Sequence, residues 1–392
     1  MTNDLIAVVN CGSATLKFSI FDGEKAVCKG LIDRLSQGGE ARGSVWDASG
    51  ARLFDGPIRA NDHERALRWL FGWLAESQPA LQPAAVGHRV VHGGDDFVAP
   101  VRVTAEVLRR LEKLIPLAPL HQPHNLAPIR VLAQQFPALP QVVCFDTAFH
   151  AAESRIERMY ALPRPYFDRG IKRYGFHGLS YEFIASCLPQ IDEQAASGRT
   201  VVCHLGNGAS MCALRACRSV ATTMGFTALE GLPMGTRSGS IDPGVLLHLL
   251  DHEKLAVDDL TELLYHRSGL LGVSGASGDM RDLLASKEAS AAEAVEYFCY
   301  RISRELGSLA AALGGLDALV FTGGIGEHAA PVRARVAELS QWLGIRIDRD
   351  ANAASRTVLH SPGSAVHVLV IPTNEELMIA RHTRRVLSSG SV

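Results

Sequence analysis

The sequence has no long apolar run, no cysteine pair at metal-binding spacing and no excess of charge of either sign. No stretch approaches the length of a membrane span. The N-terminus carries Asp4 and a short apolar run ending at Asn10, where a signal peptide needs a basic start and a longer apolar core. Cys144, Cys203 and Cys299 lie in apolar segments typical of reduced core thiols. We therefore expect a cytosolic protein, with neither a zinc site nor a membrane partner.

The balanced charge also excludes a polyanion partner of large size. Lys and Arg number 39 against 41 Asp and Glu, a formal net charge of -2, and the two signs are interspersed. Such a chain has no electrostatic footprint for nucleic acid. A hydrophobic fraction of 47% with 20% charged residues is typical of a compact soluble protein, and 392 residues predict two or three domains.

Helical and β-rich segments alternate along the chain. Apolar residues recur at helical spacing in HERALRWLFGWLAES, TAEVLRRLEKL and PVRARVAELSQWL. The β-rich runs between them are AAVGHRVVHGG, QVVCFDTAFH, TVVCHLGNGAS, ALVFTGGIGE and VHVLVIPTNEE. This alternation indicates α/β layers, in which ligands bind beyond the carboxyl ends of the strands. Those ends carry His, Arg, Asp, Asn, Gly and Glu.

Two segments share one plan of apolar strand, polar glycine turn and second apolar strand. They are VVNCGSATLKF and VVCHLGNGASMCAL. Chance similarity between two hairpins is one explanation. Duplication of an α/β fold is the other, and it would place two phosphate-facing hairpins opposite each other across a cleft.

Four glycine-rich elements could receive an anion on backbone N–H groups or at a helix start. They are VVNCGSATLK, HLGNGAS, SGASGDMR and FTGGIGEH. Each alone is more typical of a turn, and none matches the Walker pattern or a dinucleotide fingerprint. Together in one chain they favour a nucleotide.

Candidate cations and metal ligands follow from the same segments. Arg89, His177 and Arg237 lie in glycine-rich stretches with few charges to neutralise them, where a guanidinium can point its fork at carboxylate or phosphate. Solvated surface cations are the alternative.

In HRVVH the apolar alternation favours a strand over a zinc-binding helix. Oxygen ligands suited to magnesium are Asn10, Asp146 and Glu375 at strand ends.

Taken together, the motifs resemble those of the acetokinase family, the acetate kinases. The matching segments, in family order from residue 10 to residue 380, are NCGSATLKF, GHRVVHGG, PLAPLHQPHN, VCFDTAFH, YGFHGLS, HLGNGAS, TTMGFTALEGLPMGTRSGSIDP, SGASGDMR, FTGGIGEH and IPTNEELMIA. The resemblance implies a duplicated fold like that of actin, sugar kinases and ribonuclease H, with two lobes closing over an active site in the cleft. We expect the N-terminal lobe to comprise residues 1–148 and 375–392 and to carry the phosphate-binding hairpin. Residues 149–374 would form the C-terminal lobe, with the nucleotide-binding and dimerisation elements.

The resemblance also implies a reaction and a role for individual residues. The reaction is reversible transfer of the ATP γ-phosphate to acetate, with Mg²⁺ or alternatively Mn²⁺, in a homodimer. The implied catalytic residues are Asp146, His177 and Arg237. Those implied for the acyl substrate are Arg89, Val91, Leu120, His121 and Phe176, and those implied for the metal are Asn10 and Glu375. Those implied for ATP or ADP are Lys17, His204, Leu205, Gly206, Asn207, Gly208, Asp279, Met280, Arg281, Gly324, Ile325, Gly326, Glu327 and His328.

The chain departs from the family pattern at a few positions. Ala14 and Thr15 replace serines in the hairpin, and His328 stands where the family generally has Asn. Ala228 replaces the usual proline of the acyl pocket, so we expect a roomier pocket that accepts propionate alongside acetate. Two rival functions are a nucleotide-gated ATPase of the same fold without a metabolite substrate, and a sugar kinase. The cationic set argues against the first and the apolar pocket against the second.

Overall fold

The computed structural model describes residues 4–12, 15–35 and 40–389, and these form two compact units. The first unit takes the chain up to Ala148 and again from Asn374, and the second is Phe149–Thr373. The return to the first unit thus begins one residue before the predicted Glu375.

The elements of the described residues follow in chain order. The strands are β1 (Ile6–Cys11), β2 (Leu16–Asp22), β3 (Lys25–Asp33), β4 (Ala41–Asp47), β5 (Arg52–Ile58), β6 (Ala85–Val90), β7 (Val101–Arg102), β8 (Gln141–Phe145), β9 (Arg199–Leu205), β10 (Ala209–Arg215), β11 (Arg218–Thr222), β12 (Ala318–Thr322) and β13 (His367–Val370). The α-helices are α1 (His63–Ser77), α2 (Ala105–Glu112), α3 (Gln122–Gln135), α4 (Arg155–Arg158), α5 (Arg164–Asp168), α6 (Gly178–Ile191), α7 (Glu193–Ser197), α8 (Pro243–Asp251), α9 (Val257–His266), α10 (Gly269–Ser274), α11 (Met280–Ala285), α12 (Ala289–Leu313), α13 (Gly323–His328), α14 (Ala330–Leu339), α15 (Arg349–Ala353) and α16 (Glu375–Ser389). Short 3₁₀ helices are Pro79–Leu81, Ile115–Leu117, Ala148–His150 and Gln341–Leu343.

The two sheets repeat one topology. The first has the order β5-β4-β3-β2-β1-β6-β8-β7 and the second β11-β10-β9-β12-β13. In the first, β3, β2 and β1 are antiparallel neighbours, and β1, β6 and β8 are parallel. In the second, β11, β10 and β9 are antiparallel, and β9, β12 and β13 are parallel. The two similar hairpins of the sequence therefore occupy equivalent places, β1–β2 and β9–β10, in a duplicated α/β fold.

Helix α1 shows why the apolar spacing predicted the elements so well. It covers the predicted run HERALRWLFGWLAES from end to end, and Asp62 caps it by accepting a hydrogen bond from the N–H of Arg65 at 2.7 Å. Its buried leucines, such as Leu67 and Leu70, share one core with Phe18 of β2. Because each buried leucine contributes about 1.5–3 kcal/mol, this face determines how the helix packs.

Parallel strands bring the ends of distant segments to one edge of each sheet. Arg89 of β6 pairs with Cys144 of β8, so Arg89 lies near the residue that follows β8. In the second unit Thr322 of β12 pairs with His204 of β9, and α13 begins at the next residue. The candidate residues therefore collect at these carboxyl edges, as expected for open α/β sheets. Among the described helices, including the 25-residue α12, none has the length and apolarity needed to cross a membrane.

Candidate active site

Arg89 and Asp146 form a tightly bonded pair at the carboxyl edge of the first sheet. The Nε of Arg89 donates to both carboxylate oxygens of Asp146, at 3.0 and 3.2 Å, and Nη2 donates to Oδ2 at 2.5 Å. Asp146 is 1% exposed. Since a bidentate pair of this kind is both strong and directional, it fixes the plane of the guanidinium.

A third charged group, Glu375 at the start of α16, lies 3.9 Å from the Nε of Arg89. Burial by itself lowers the pKa of Arg89, but the carboxylates of Asp146 and Glu375 outweigh it, so the pKa is raised. Among the described residues none accepts a hydrogen bond from Nη1, so this part of the fork is available to another anion. With both carboxylates ionised, the cluster carries one net negative charge.

The first hairpin brings Asn10 and Lys17 face to face, because they are paired in the register of β1 and β2. Lys17 is exposed and Asn10 is partly buried. The N–H of Gly12 donates to the carbonyl of Thr15 at 2.9 Å and closes the turn. Ala14 lies outside the described residues, so the effect of its missing hydroxyl stays a prediction.

Two side chains that the sequence analysis did not select hold this hairpin in place. The Nε2 of His63 lies 2.8 Å from the carbonyl oxygen of Gly12. Asn125 of α3 donates from Nδ2 to the carbonyl of Cys11 at 3.1 Å and accepts from the N–H of Val91 at 3.0 Å. Asn125 thus links the end of β1 to the segment after β6. A buried amide on the apolar face of a helix was the available signal.

The residues predicted for the acyl group differ in exposure. In the first unit Val91 is buried, Leu120 is 37% exposed, and His121 directly precedes α3. In the second unit Phe176 is buried. These four residues stay predictions as substrate ligands.

In the second unit His177 precedes α6 in a left-handed conformation, with φ 56° and ψ 22°. Its Nδ1 lies 2.8 Å from the Oγ of Ser210, which also contacts the hydroxyl of Tyr181. The imidazole stacks on that of His204 with ring centroids 4.3 Å apart. His204 in turn contacts the Oγ of Ser180 through Nδ1 at 2.8 Å.

Arg237 is held by the loop that contains the Ala228 departure. One terminal nitrogen, Nη1, donates to the carbonyl of Ala228 at 3.1 Å and lies 3.8 Å from the sulfur of Met234. Gly239 follows at φ +71°, where a Cβ would lie 2.5 Å from the carbonyl oxygen of Leu232. Only glycine fits this turn, which fixes the backbone after Arg237.

A cavity of about 440 Å³ opens among the glycine-rich segments of the second unit. This is a size typical of small-ligand pockets. The residues that line it are Gly206, Asn207, Gly278, Asp279, Met280, Arg281, Leu284, Gly324, Ile325, His328 and Ala329. Arg281 donates to Asp279 from Nη2 at 2.6 Å, and this pair lowers the pKa of Asp279 to about 2.

The comparisons with known proteins agree on one family. The model of the Acetokinase family matches residues 5–381. The chain belongs to the acetokinase family. It is 51% identical over 398 residues to an acetate kinase of Rhodopseudomonas palustris, covering 99% of this chain and 100% of that protein. The structure of a propionate kinase from Francisella tularensis matches with a TM-score of 0.92 at 36% identity, over 98% of this chain and 100% of that one. That of Porphyromonas gingivalis acetate kinase gives 0.89 at 35%, with the same coverage.

These matches confirm the predicted family and the predicted fold class. Among the residues predicted for the nucleotide of this acetokinase, some line the cavity and others do not. Those outside the lining are Lys17, His204, Leu205, Gly208, Gly326 and Glu327. Glu327 instead accepts hydrogen bonds from the N–H groups of Gly323 and Thr373 at 2.9 and 3.2 Å. His328 lies at the rim, with its side chain 81% exposed. Leu284 and Ala329 line the cavity without having been predicted, and Gly278 was predicted only as part of the segment SGASGDMR.

Proposed function

We propose that this acetokinase reversibly transfers the γ-phosphate of ATP to acetate or a similar short carboxylate, giving the acyl phosphate and ADP. The observation that carries the proposal is the hydrogen bonding of the Arg89 guanidinium. Asp146 holds one edge of its guanidinium, Nη1 has no acceptor among the described residues, and apolar Val91 lies two residues further along the chain. A carboxylate with a short apolar tail suits a cation next to an apolar side chain.

ATP and ADP are the proposed co-substrates, in the cavity of the second unit. Its walls combine Gly206 and Gly324 with apolar Met280 and Ile325. Glycine backbone can approach phosphates closely, while apolar side chains can cover a base. This division supports a nucleotide over a purely anionic ligand.

The chemistry of the proposed reaction explains why cations dominate the predicted catalytic set. A carboxylic acid is already ionised near neutral pH, so its attack on phosphorus needs no general base. The difficulty is to bring one anion up to another and to stabilise the charge on the transferring phosphoryl oxygens. We assign this stabilisation to His177 and Arg237. Asp146 is assigned the role of orienting Arg89.

Magnesium, with manganese as an alternative, is the proposed metal. Among the described residues no three His, Cys, Asp or Glu side chains converge on one point, but Mg²⁺ in kinases takes only one or two protein ligands beside phosphates and waters. Asn10 and Glu375 supply suitable oxygens. The surplus negative charge of the cluster of Arg89, Asp146 and Glu375 also fits a cation. When bound, the metal would neutralise phosphate charge.

We further propose that propionate is accepted alongside acetate, because Ala228 leaves out the ring of a proline. The Francisella tularensis relative is a propionate kinase. One methylene is worth about 1–3 kcal/mol of discrimination, so the preference between the acids will be partial.

A cytosolic homodimer is the proposed state. All eight cysteines lie within the described residues and none is in a disulfide. Helix α8 has the apolar sequence PGVLLHLLD without one buried residue, and its Leu247 is 67% exposed. Such a surface supports contact with a second copy of the chain.

The test is a hydroxamate assay for acyl phosphate with ATP, Mg²⁺ and a panel of short carboxylates, repeated with EDTA. We expect signal with acetate and propionate and none with EDTA. His177→Ala and Arg237→Ala should lose it while still binding ATP, and exposed Arg304→Ala serves as the control. ATP hydrolysis that ignores the carboxylate would overturn the proposal in favour of an ATPase.

A further inference from the structure

A buried histidine with no part in the proposed reaction contacts the backbone next to His177. His150 is fully buried, and its Nε2 lies 3.0 Å from the carbonyl oxygen of Phe176. Gly175, at φ +76°, belongs to the same contact, because a Cβ there would lie 2.6 Å from the His150 ring. The ring therefore packs directly against the peptide segment that leads into His177.

The hydrogen-bond partners of His150 define its protonation. Ser219 donates its hydroxyl proton to Oε1 of Glu153 at 2.7 Å, so its oxygen can only accept from the Nδ1 of His150, 2.8 Å away. The Nε2 faces a carbonyl, which also only accepts. With the carboxyl group of Glu153 ionised, both ring nitrogens carry protons and the ring is a cation.

Glu153 supplies the countercharge for this cation. Its Oε1 lies 3.3 Å from the Nδ1 of His150, and the two side chains are at most 1% exposed. Burial alone lowers the pKa of His150, but hydrogen bonds with Cys212 and Glu153 raise it to about 10. Other groups that face the ring are the thiol of Cys212, 4.0 Å from Nδ1, and the edge-on rings of Phe149 and Tyr181, at 5.8 and 5.7 Å between centroids. A buried pair of this kind is stable only when both partners are present.

The conformation of His177 explains why such an anchor is needed. At φ 56° the residue is left-handed, which costs a side chain other than glycine about 1–2 kcal/mol. Ser210 holds the imidazole on one side, and His150 holds the preceding carbonyl on the other. If the carbonyl of Phe176 were released, the backbone of His177 could relax and its ring would shift.

We infer that His150 and Glu153 form a buried imidazolium–carboxylate pair that positions His177 for phosphoryl transfer. They are positioning residues, since they contact the segment before His177 and not the reacting groups. The inference rests on the role proposed for His177. The pair also explains how His177 keeps its strained left-handed backbone conformation.

Kinetics with matched variants test this. His150→Ala should lower kcat between about tenfold and 100-fold, the range expected for a misplaced catalytic group, while KM for ATP stays within twofold. His150→Gln should recover most of the loss, because its amide can still donate to the Phe176 carbonyl. Glu153→Gln, which keeps the shape, should lower kcat more at pH 8 than at pH 6, because a neutral ring can place its single proton on Nδ1 and lose the Nε2–H bond to Phe176, whereas the cation always keeps it. The control is His367→Gln, which removes another histidine–carboxylate pair of this unit. In that pair the Nδ1 of His367 lies 2.7 Å from Oδ2 of Asp192.

An NMR measurement separates this inference from the proposed function. With ¹³C-labelled histidine, the His177 resonance, assigned from His177→Gln, should shift or broaden in His150→Ala and return towards wild type in His150→Gln. An unchanged resonance, or equal kcat values for His150→Ala and wild type, would overturn the inference. If His150→Ala does not fold, the Glu153→Gln spectra and rates decide. Wild-type protein without carboxylate-dependent activity would instead overturn the proposed function, whatever the spectra show.

Discussion

Replacing Arg333 should destabilise the second unit and weaken nucleotide binding together. This side chain is wholly buried on α14 and uses all five of its N–H donors. Nη1 donates to the carbonyls of Gly326 and Glu327 at 2.9 Å each, which closes the end of α13 beside the cavity. The remaining three bonds go to Asn352 and Ser355. We expect Arg333→Met to leave these acceptors unsatisfied.

The magnitude follows from the number of acceptors. Each buried acceptor that loses its partner costs about 1–3 kcal/mol, but removal of the guanidinium also relieves its own desolvation. The same desolvation of the charged side chain lowers the pKa of Arg333. The net loss should be about 3–4 kcal/mol of the free energy of unfolding, equivalent to a drop of roughly 6–16 °C in the thermal midpoint. Loss of the helix end should weaken ADP binding about tenfold, the effect of one hydrogen bond.

Thermal unfolding with and without ADP, and titration calorimetry with ADP, measure both effects. The matched control is Arg335→Met, two residues along the same helix, whose ion pairs with Glu296 and Glu338 are at the surface. It should cost no more than about 1 kcal/mol and leave ADP binding unchanged. Arg333→Lys, with three donors, should fall between the two. If Arg333→Met were as stable as Arg335→Met, the bonds to α13 would carry no net stabilisation and the reasoning would be refuted.

Three further predictions concern the substrate side and the pH dependence. Arg89→Leu should raise KM for the carboxylate by about tenfold to 150-fold, because it removes one charge-assisted hydrogen bond. ADP binding, measured by calorimetry, should be unchanged. Equal KM values for the variant and the wild type would contradict the assignment of Arg89 to the carboxylate. Ala228→Pro should lower kcat/KM for propionate relative to acetate by up to about 100-fold, and an unchanged ratio would exclude a role for this position in the pocket. Because the pKa of His150 is raised from 6.5 to about 10, its contribution to stability is complete below pH 6.5 and is lost as the pH rises to 10. Denaturant titrations should therefore show the advantage of wild type over Glu153→Gln shrinking across this range.

Local pattern was enough to predict the elements and the edges where candidate residues collect. The apolar spacing of α1 and the short β-rich runs each depend on residues within a few positions of one another. Strand ends could be named for the same reason. The segment around Arg89 and the one around Asp146 were predicted separately, and the parallel pairing of β6 and β8 joined them.

The partners of those residues could not be predicted, because they are distant in the sequence. His63 reaches Gly12 from 51 positions away, and Ser219 reaches Glu153 from 66 positions away. Leu284 and Ala329 have no chemical pattern of their own, so nothing marked them as cavity walls before the fold brought them together. Arg333 resembled any polar residue of an amphipathic helix.

By itself the sequence determined the element types, the duplicated plan and the family, because periodicity and ordered motifs are properties of the chain. Only the tertiary structure decided which charges are paired. Asp146 is hydrogen-bonded to Arg89, His150 is paired with Glu153, and Arg333 is buried among carbonyls. The physical reason is that charge state and donor direction depend on burial and on neighbours within hydrogen-bond distance, and folding alone supplies both.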